Sequence, residues 1–381
     1  MRLTNSDLGE LVGLRHDLHR HPEVSGAEAE TARRVVAALG DGPDRVVTGL
    51  GGHGVAAVFE GAEAGPTVLI RSELDALPIE ELSDSPHRSE VPGVGHLCGH
   101  DGHSVILIGL ARALARERPA RGRVVLMFQP AEEDGSGAAA VLADPAFADL
   151  RPDWAFSLHN MPGLPLGAVL LGPGACNCAS RGLRIRLTGR TSHAAEPEAG
   201  VSPARAVTRL IPALTALGPG GALGPDFRLV TVTHARIGEP AHGISPGEAE
   251  VWATLRTQTD AAMADLMAGA ESAARDAAAE DGLGLSISLH DDFAACDNDA
   301  EATDRLSAAI ADEGLARVSG DLPFRASEDF GRFGAVAKSA MFYLGAGEGT
   351  PALHNPDYDF PDALIEPATR VFLRTIRDLL G

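Results

Sequence analysis

The chain has 381 residues, too many for one small core and enough for two domains, because single cores stop growing near about 250 to 300 residues. Its 32 basic and 53 acidic residues give a net charge of -21, which disfavours nucleic acid or an anionic membrane as the main partner. No window approaches ~18 apolar residues, the acidic opening stretch lacks the apolar core of a signal peptide, and four cysteines are too few for a disulfide framework, so a cytoplasmic protein is expected.

Leucines at 8, 11, 14 and 18 predict a helix over 6–20, capped by Ser6 or Asp7, and a second helix is expected over 26–39. Short apolar runs at 54–59, 67–71, 123–128 and 154–158 read as strands, with a helical pattern at 103–116 between the middle pair. This alternation predicts a parallel or mixed sheet covered by helices. From about 182 the texture changes: strand 183–188, helix 202–217, strands 228–236 and 248–256, helix 260–279, strand 284–290. The order β-α-β-β-α-β is the ferredoxin-like plan, so 182–290 reads as an inserted domain. Helices over 301–313 and 362–379 around a strand at 340–344 resume the first texture, which assigns 1–181 and 291–381 to one catalytic domain.

Residues 96–103 read His-Leu-Cys-Gly-His-Asp-Gly-His. Cys98 and His100 share a glycine-containing loop before a helix, so thiolate and imidazole can reach one metal ion. Asp101 either hydrogen-bonds a ligating imidazole or complements the helix dipole, and His96 and His103 read as structural. Ligands in open α/β sheets bind at the carboxyl ends of strands. There Asp75 follows 67–71, Glu132 and Glu133 follow 123–128, His159 follows 154–158, and His354 lies beyond 340–344. The adjacent glutamates can divide two tasks, one binding metal and one serving as base; the bland reading is two solvated acids at a helix start near 138–142. In the inserted domain, His193 stands in a small-residue loop just past a strand, and Arg256 either forks a carboxylate or is a surface arginine. Cys176 and Cys178 form a bare Cys-Asn-Cys and read as buried or strand-end cysteines.

Together these segments resemble the zinc-type aminoacylase and carboxypeptidase G metallohydrolase family, nearest to its amidohydrolase branch of hippurate and indole-acetyl-amino-acid hydrolases. The likeness runs in order through Arg-His-Asp-Leu-His-Arg-His-Pro-Glu at 15–23, Arg-Ser-Glu-Leu-Asp-Ala-Leu-Pro at 71–78 and the 96–103 loop. It continues through Phe-Gln-Pro-Ala-Glu-Glu at 128–133, Leu-His at 158–159, Thr-Ser-His-Ala-Ala at 191–195, Ser-Glu-Asp-Phe at 327–330 and Leu-His-Asn-Pro at 353–356. The resemblance implies an α/β catalytic domain with a mostly parallel mixed sheet and an inserted ferredoxin-like lid and dimerisation domain. It implies two divalent metal ions (zinc, manganese or cobalt) held by Cys98, His100, Glu133, His159 and His354, with Glu132 as general base and Asp75 and Asp101 behind the ligands. It also implies a homodimer in which His193 reaches the partner's active site, and an Arg256 that binds the substrate carboxylate. Two departures stand out. Glu73 replaces the usual aspartate of the Arg-x-Asp-x-Asp segment, and the lid loop reads Ala-His-Gly-Ile-Ser-Pro at 241–246, where His242 takes a substrate-facing polar position.

The expected activity is metal-dependent hydrolysis of the amide of a small N-acyl amino acid. The alternatives are a carboxypeptidase or dipeptidase of the same family, and a non-catalytic binding protein that retains the fold.

Overall fold

The computed structural model describes residues 3–381, and the chain divides into two compact units. The first consists of residues up to Cys176 with Asp297–Leu322 and Asp329–Gly381; the second is Asn177–Cys296 with Pro323–Glu328. The inserted unit therefore begins a few residues before the 182 expected from the sequence, ends a few after 290, and takes in a short later segment.

In chain order the first unit opens with α1 (Asn5–Arg20), α2 (Ala29–Leu39), β1 (Arg45–Leu50), β2 (Gly54–Glu60), β3 (Glu63–Glu73) and α3 (His100–Arg116). It continues with β4 (Arg121–Gln129), α4 (Gly137–Ala143), β5 (Trp154–Pro162) and β6 (Val169–Leu170). The short β7 (Gly174–Asn177) leads towards the inserted unit. That unit holds β8 (Ala179–Thr188), β9 (Ser192–His193), α5 (Ala204–Leu217), β10 (Arg228–Ile237), β11 (Ile244–Ser245), β12 (Glu248–Thr257), α6 (Asp260–Glu280) and β13 (Gly284–Phe293). After β14 (Cys296–Asn298), the first unit resumes with α7 (Ala300–Asp312), β15 (Lys338–Gly347) and α8 (Ile365–Leu380).

The seven-stranded sheet of the first unit runs β1-β2-β4-β3-β5-β15-β6, with β4, β3, β5 and β15 mutually parallel and antiparallel strands at both edges. Val124 to Phe128 are all fully buried, as a continuous apolar run requires in a strand covered on both faces. Helix α3 is buried on nearly every side, and Leu11, Leu107, Val371 and Phe372 belong to the same core cluster. In the second unit the sheet order is β10-β12-β8-β13, all antiparallel, with core residues of α5 and α6 packed on it, which is the ferredoxin-like arrangement. No helix among the described residues is long and apolar enough to cross a membrane.

Several boundaries differ from the sequence expectation for local reasons. The cap of α1 is Thr4, not Ser6 or Asp7: its hydroxyl accepts from Asp7 N while the Asp7 carboxylate accepts from Thr4 N, a closed capping box. Helix α2 starts at Ala29 rather than 26, and β1 was not foreseen. The decisive shift is in α3, which starts at His100 because Gly99 adopts φ +90°, a left-handed conformation that lets the chain turn sharply into the helix.

Candidate metal centre

Four chain segments bring metal-competent side chains together at the carboxyl ends of the parallel strands. Cys98 Sγ lies 3.4 Å from His159 Nε2. His100 Nε2 lies 3.9 Å from both Glu132 Oε2 and Glu133 Oε1, and His354 Nε2 is 3.5 Å from Glu133 Oε2. Three overlapping groups, Cys98–His100–His159, Cys98–Glu133–His354 and His100–Glu132–Glu133, each place their donor atoms within 4.8 Å of one another. Donors bound about 2.1 Å from one ion stand roughly 3 to 3.5 Å apart, so these spacings suit shared ions.

The imidazoles are already turned for that purpose. His100 Nδ1 donates towards Asp75, whose carbonyl and Oδ1 lie at 3.0 and 3.2 Å. His100 Nε2 is left buried without a hydrogen bond. His159 Nδ1 donates to Asn160 O at 2.7 Å, which frees its Nε2 towards Cys98. An orphaned buried nitrogen facing carboxylates, beside a thiol and a second imidazole, is the donor set of a divalent metal site. Burial works against a charge on His100, yet Asp75 and the neighbouring carboxylates raise its pKa to about 10, so the position favours a cation. Burial followed by the charges of Glu133 and Glu132 pushes the Cys98 thiol well above its usual value. A metal ion held by Cys98 and His100 would displace a proton from each. The expected result is proton release near neutral pH and an affinity that strengthens as pH rises; calorimetry in buffers of differing ionisation enthalpy reads it directly.

The carboxylates are aimed by their surroundings. Asp75 is fully buried, and its Oδ2 accepts from Glu133 N at 2.9 Å and Ser25 Oγ at 2.8 Å, so one aspartate orients His100 and the Glu133 backbone. The 131–133 loop is pinned from behind by buried Glu28, which accepts from Ala131 N at 2.8 Å, while Ala131 itself has φ +50°. Gly137 N closes the loop on Ala131 O, and a Cβ on Gly137 would sit 1.7 Å from Pro130 O. No side-chain rotation relieves a clash with backbone. Gly137→Ala is expected to cost about 1 to 3 kcal/mol or more, checked by denaturant unfolding, with weaker metal retention.

Not every expectation matches the geometry. His100 is not in a loop but opens α3, and Asp101, in that helix's first turn as the dipole reading expected, makes no hydrogen bond to a ligating imidazole. Its Oδ2 instead accepts from His19 Nδ1 at 2.9 Å and Arg15 Nη1 at 3.1 Å, while Asp75 holds the His100 ring. Burial raises the Asp101 carboxyl, but His19 and Arg15 outweigh it and hold it far below the usual range. His159 lies inside β5 rather than beyond it. Glu73 accepts from His103 Nδ1 at 2.7 Å and from Arg71, and with His100 and His103 it forms a further group whose ligand atoms lie within 4.8 Å of one another.

Sequence reasoning missed the polar frame behind the site. Arg71 contacts Glu73, Gln129 at 2.9 Å and Asp329 at 2.5 Å, and all four side chains are buried. Asp329 also accepts from Ala138 N at 2.8 Å, and its own N–H points to Glu132 Oε1 at 3.5 Å. The signal was present in Arg-Ser-Glu and Ser-Glu-Asp-Phe, polar residues embedded in otherwise apolar strand and turn patterns.

Within the inserted unit, His193 is exposed on β9, which pairs with β11, and its Nδ1 accepts from Ala195 N at 3.1 Å. His242 is exposed in the loop before β11. Arg256, on β12, donates to Arg325 O at 2.8 Å and Ser327 Oγ at 2.9 Å. All four cysteines are buried and lie outside any disulfide, including Cys176 and Cys178.

Residues 69–378 match the model of peptidase family M20/M25/M40. The chain belongs to this family. Its relatives include an N-acetylcysteine deacetylase of Bacillus subtilis, 29% identical over 365 residues that span 95% of this chain and 94% of the relative. The hippurate hydrolase of Campylobacter jejuni is 29% identical over 369 residues, spanning 96% of this chain and 95% of that one. Among solved structures, a dinuclear metal-binding M20 peptidase of Bacillus subtilis is similar with a TM-score of 0.81 at 26% identity, covering 99% of both chains. The M20 assignment and the donor cluster make this protein a metal-dependent hydrolase.

Proposed function

We propose that the protein hydrolyses the amide bond of small N-acyl amino acids at a centre of two divalent ions held by Cys98, His100, Glu133, His159 and His354. The observation that carries this reading is the convergence of those five side chains with a second carboxylate, the buried Glu132, at their edge. The names of the curated relatives, a deacetylase and a hippurate hydrolase, support an acyl amino acid rather than a longer peptide. Thiolate and imidazole suit zinc, while the carboxylates also admit manganese or cobalt.

When bound, the ions lower the pKa of a water towards ~7 and polarise the scissile carbonyl. The residues of the chain do the rest. Glu132 takes the proton of the attacking water on a side-chain oxygen and later delivers it to the departing amine. Asp75 keeps the Nε2 of His100 facing the donors, and Asn160 O does the same for His159. Arg256 holds the substrate carboxylate, and His242 lines the substrate side of the lid.

The proposal extends to a cytoplasmic homodimer formed through the inserted unit, in which His193 of the partner subunit stabilises the developing oxyanion. The exposure of His193 supports the dimer reading. His193→Ala is expected to keep its metal and lose on the order of 10² to 10³ in turnover, the usual effect of removing one oxyanion donor. Parent-like turnover in that variant would remove His193 from the mechanism.

The substrate reading is tested by a metal-supplemented panel of N-acetyl, N-benzoyl and long-chain acyl amino acids with dipeptides alongside. Hydrolysis of acyl amino acids in preference to dipeptides is expected. The reverse preference would make the protein a dipeptidase or carboxypeptidase, and inactivity on the whole panel with metal bound would favour a binding protein.

A further inference from the structure

Asn160 sits where three of the segments carrying the proposed ligands meet. It follows His159 on β5, and its backbone carbonyl fixes the His159 ring. Its side chain is fully buried, and its Nδ2 donates to Cys98 O at 2.7 Å and towards His103 Nε2 at 3.0 Å. The Cys98 carbonyl can only accept, so the amide nitrogen must face it, which leaves Oδ1 for the hydroxyl of buried Tyr358. Tyr358 belongs to the segment that starts at His354, and His354 N donates to Leu97 O at 2.8 Å, next to Cys98.

Two features show that the arrangement is tight. A Cβ on Gly99 would lie 2.5 Å from Asn160 Nδ2, so the amide occupies the space that only a glycine leaves open. His354 itself holds φ +66°, unusual for a residue with a side chain, and it needs the surrounding contacts to persist. His103, whose Nδ1 donates to Glu73 at 2.7 Å, turns its Nε2 to both the Asn160 amide and the Asn160 backbone N–H. Each hydrogen-bonding group of this side chain is committed, and its partners lie on two separate stretches of chain, one carrying Cys98 and His103 and the other Tyr358.

We propose that Asn160 is the positioning residue of the metal centre, its side-chain amide holding the segments of Cys98, His159 and His354 in one register. The inference rests on the metal reading above. Asn160 touches neither substrate nor metal; it acts through the donors it aligns. Partners of this kind commonly change metal affinity 10- to 100-fold when lost.

The test compares the parent with Asn160→Ala, Asn160→Asp and Tyr358→Phe, using zinc alone in competition with a chromogenic chelator, and cobalt-loaded protein for its thiolate-to-metal charge-transfer band. Asn160→Asp keeps the shape and the acceptor for Tyr358 but replaces the donor to Cys98 O with a carboxylate oxygen. Both Asn160 variants are expected to bind zinc about 10- to 100-fold more weakly and to show a shifted or weakened band, with a smaller loss in Tyr358→Phe. A merely structural role would lower the stability of the metal-free protein and leave the cobalt spectrum unchanged. Folded Asn160 variants with zinc affinity within about twofold of the parent and an unaltered band would overturn the inference. If those variants do not fold, Tyr358→Phe decides: unchanged affinity and spectrum overturn it. A parent that binds no zinc or cobalt would remove the metal reading and this inference together, whereas a metal-binding parent with unaffected variants removes only the inference.

Discussion

The Glu132→Gln variant is expected to lose about 10²- to 10⁴-fold in turnover while still holding both ions, because general-base catalysis contributes an effect of that size. Glutamine has nearly the same shape, so the loop pinned by Glu28 and Asp75 keeps its course. What disappears is the capacity to accept a proton at neutral pH. Glu133→Ala should do the opposite: its oxygens lie 3.9 Å from His100 Nε2 and 3.5 Å from His354 Nε2, so its removal empties the centre first. Metal analysis beside initial rates separates the two. Metal lost from Glu132→Gln and kept by Glu133→Ala would exchange their roles.

The largest loss of stability is expected from Arg71→Met. Arg71, Glu73 and Asp329 are fully buried, and the two carboxylates have this guanidinium as their shared cation. Burial alone would raise the Glu73 carboxyl; Arg71 and then His103 hold it far below the usual range. Removing one partner from a buried ionic group leaves uncompensated charge, at a cost of about 3 to 5 kcal/mol. The check is denaturant unfolding of the metal-free protein. A triple replacement with Glu73→Gln and Asp329→Asn should recover much of the loss; a single-variant cost under about 1 kcal/mol would show that the carboxylates find another counter-charge.

Why some of this was readable in the sequence and some was not follows from the kinds of signal involved. Strands such as Arg121–Gln129 announce themselves because a parallel strand covered on both faces is a continuous apolar run. Strand β1 did not, since Arg45–Leu50 is mostly exposed or half-buried and carries no such run. Cys98, His100, His159 and His354 stood out as candidates because soft and imidazole donors lay at or near strand ends, whereas the division of roles between Glu132 and Glu133 came only from the family resemblance. For Asp101, the reading as partner of a ligating imidazole rested on adjacency, and the alternative of a helix N-terminal acid is the one the structure fits. Once α3 begins at His100, consecutive side chains diverge by roughly 100° around the helix, so Asp101 turns to Arg15 and His19 while distant Asp75 reaches the ring. Asn160 and Tyr358 left no mark at all. An asparagine after a histidine reads as a turn residue, and only the fold brings it within reach of a tyrosine 198 positions later.

The central claim is that one pair of divalent ions is held by five side chains gathered from four stretches of the chain. Anomalous diffraction from crystals grown with zinc or manganese tests it most directly. Two peaks are predicted in each chain, surrounded by Cys98, His100, Glu133, His159 and His354, with Glu132 beside them and bound to neither. A single peak, or peaks seated on other residues, would contradict the account.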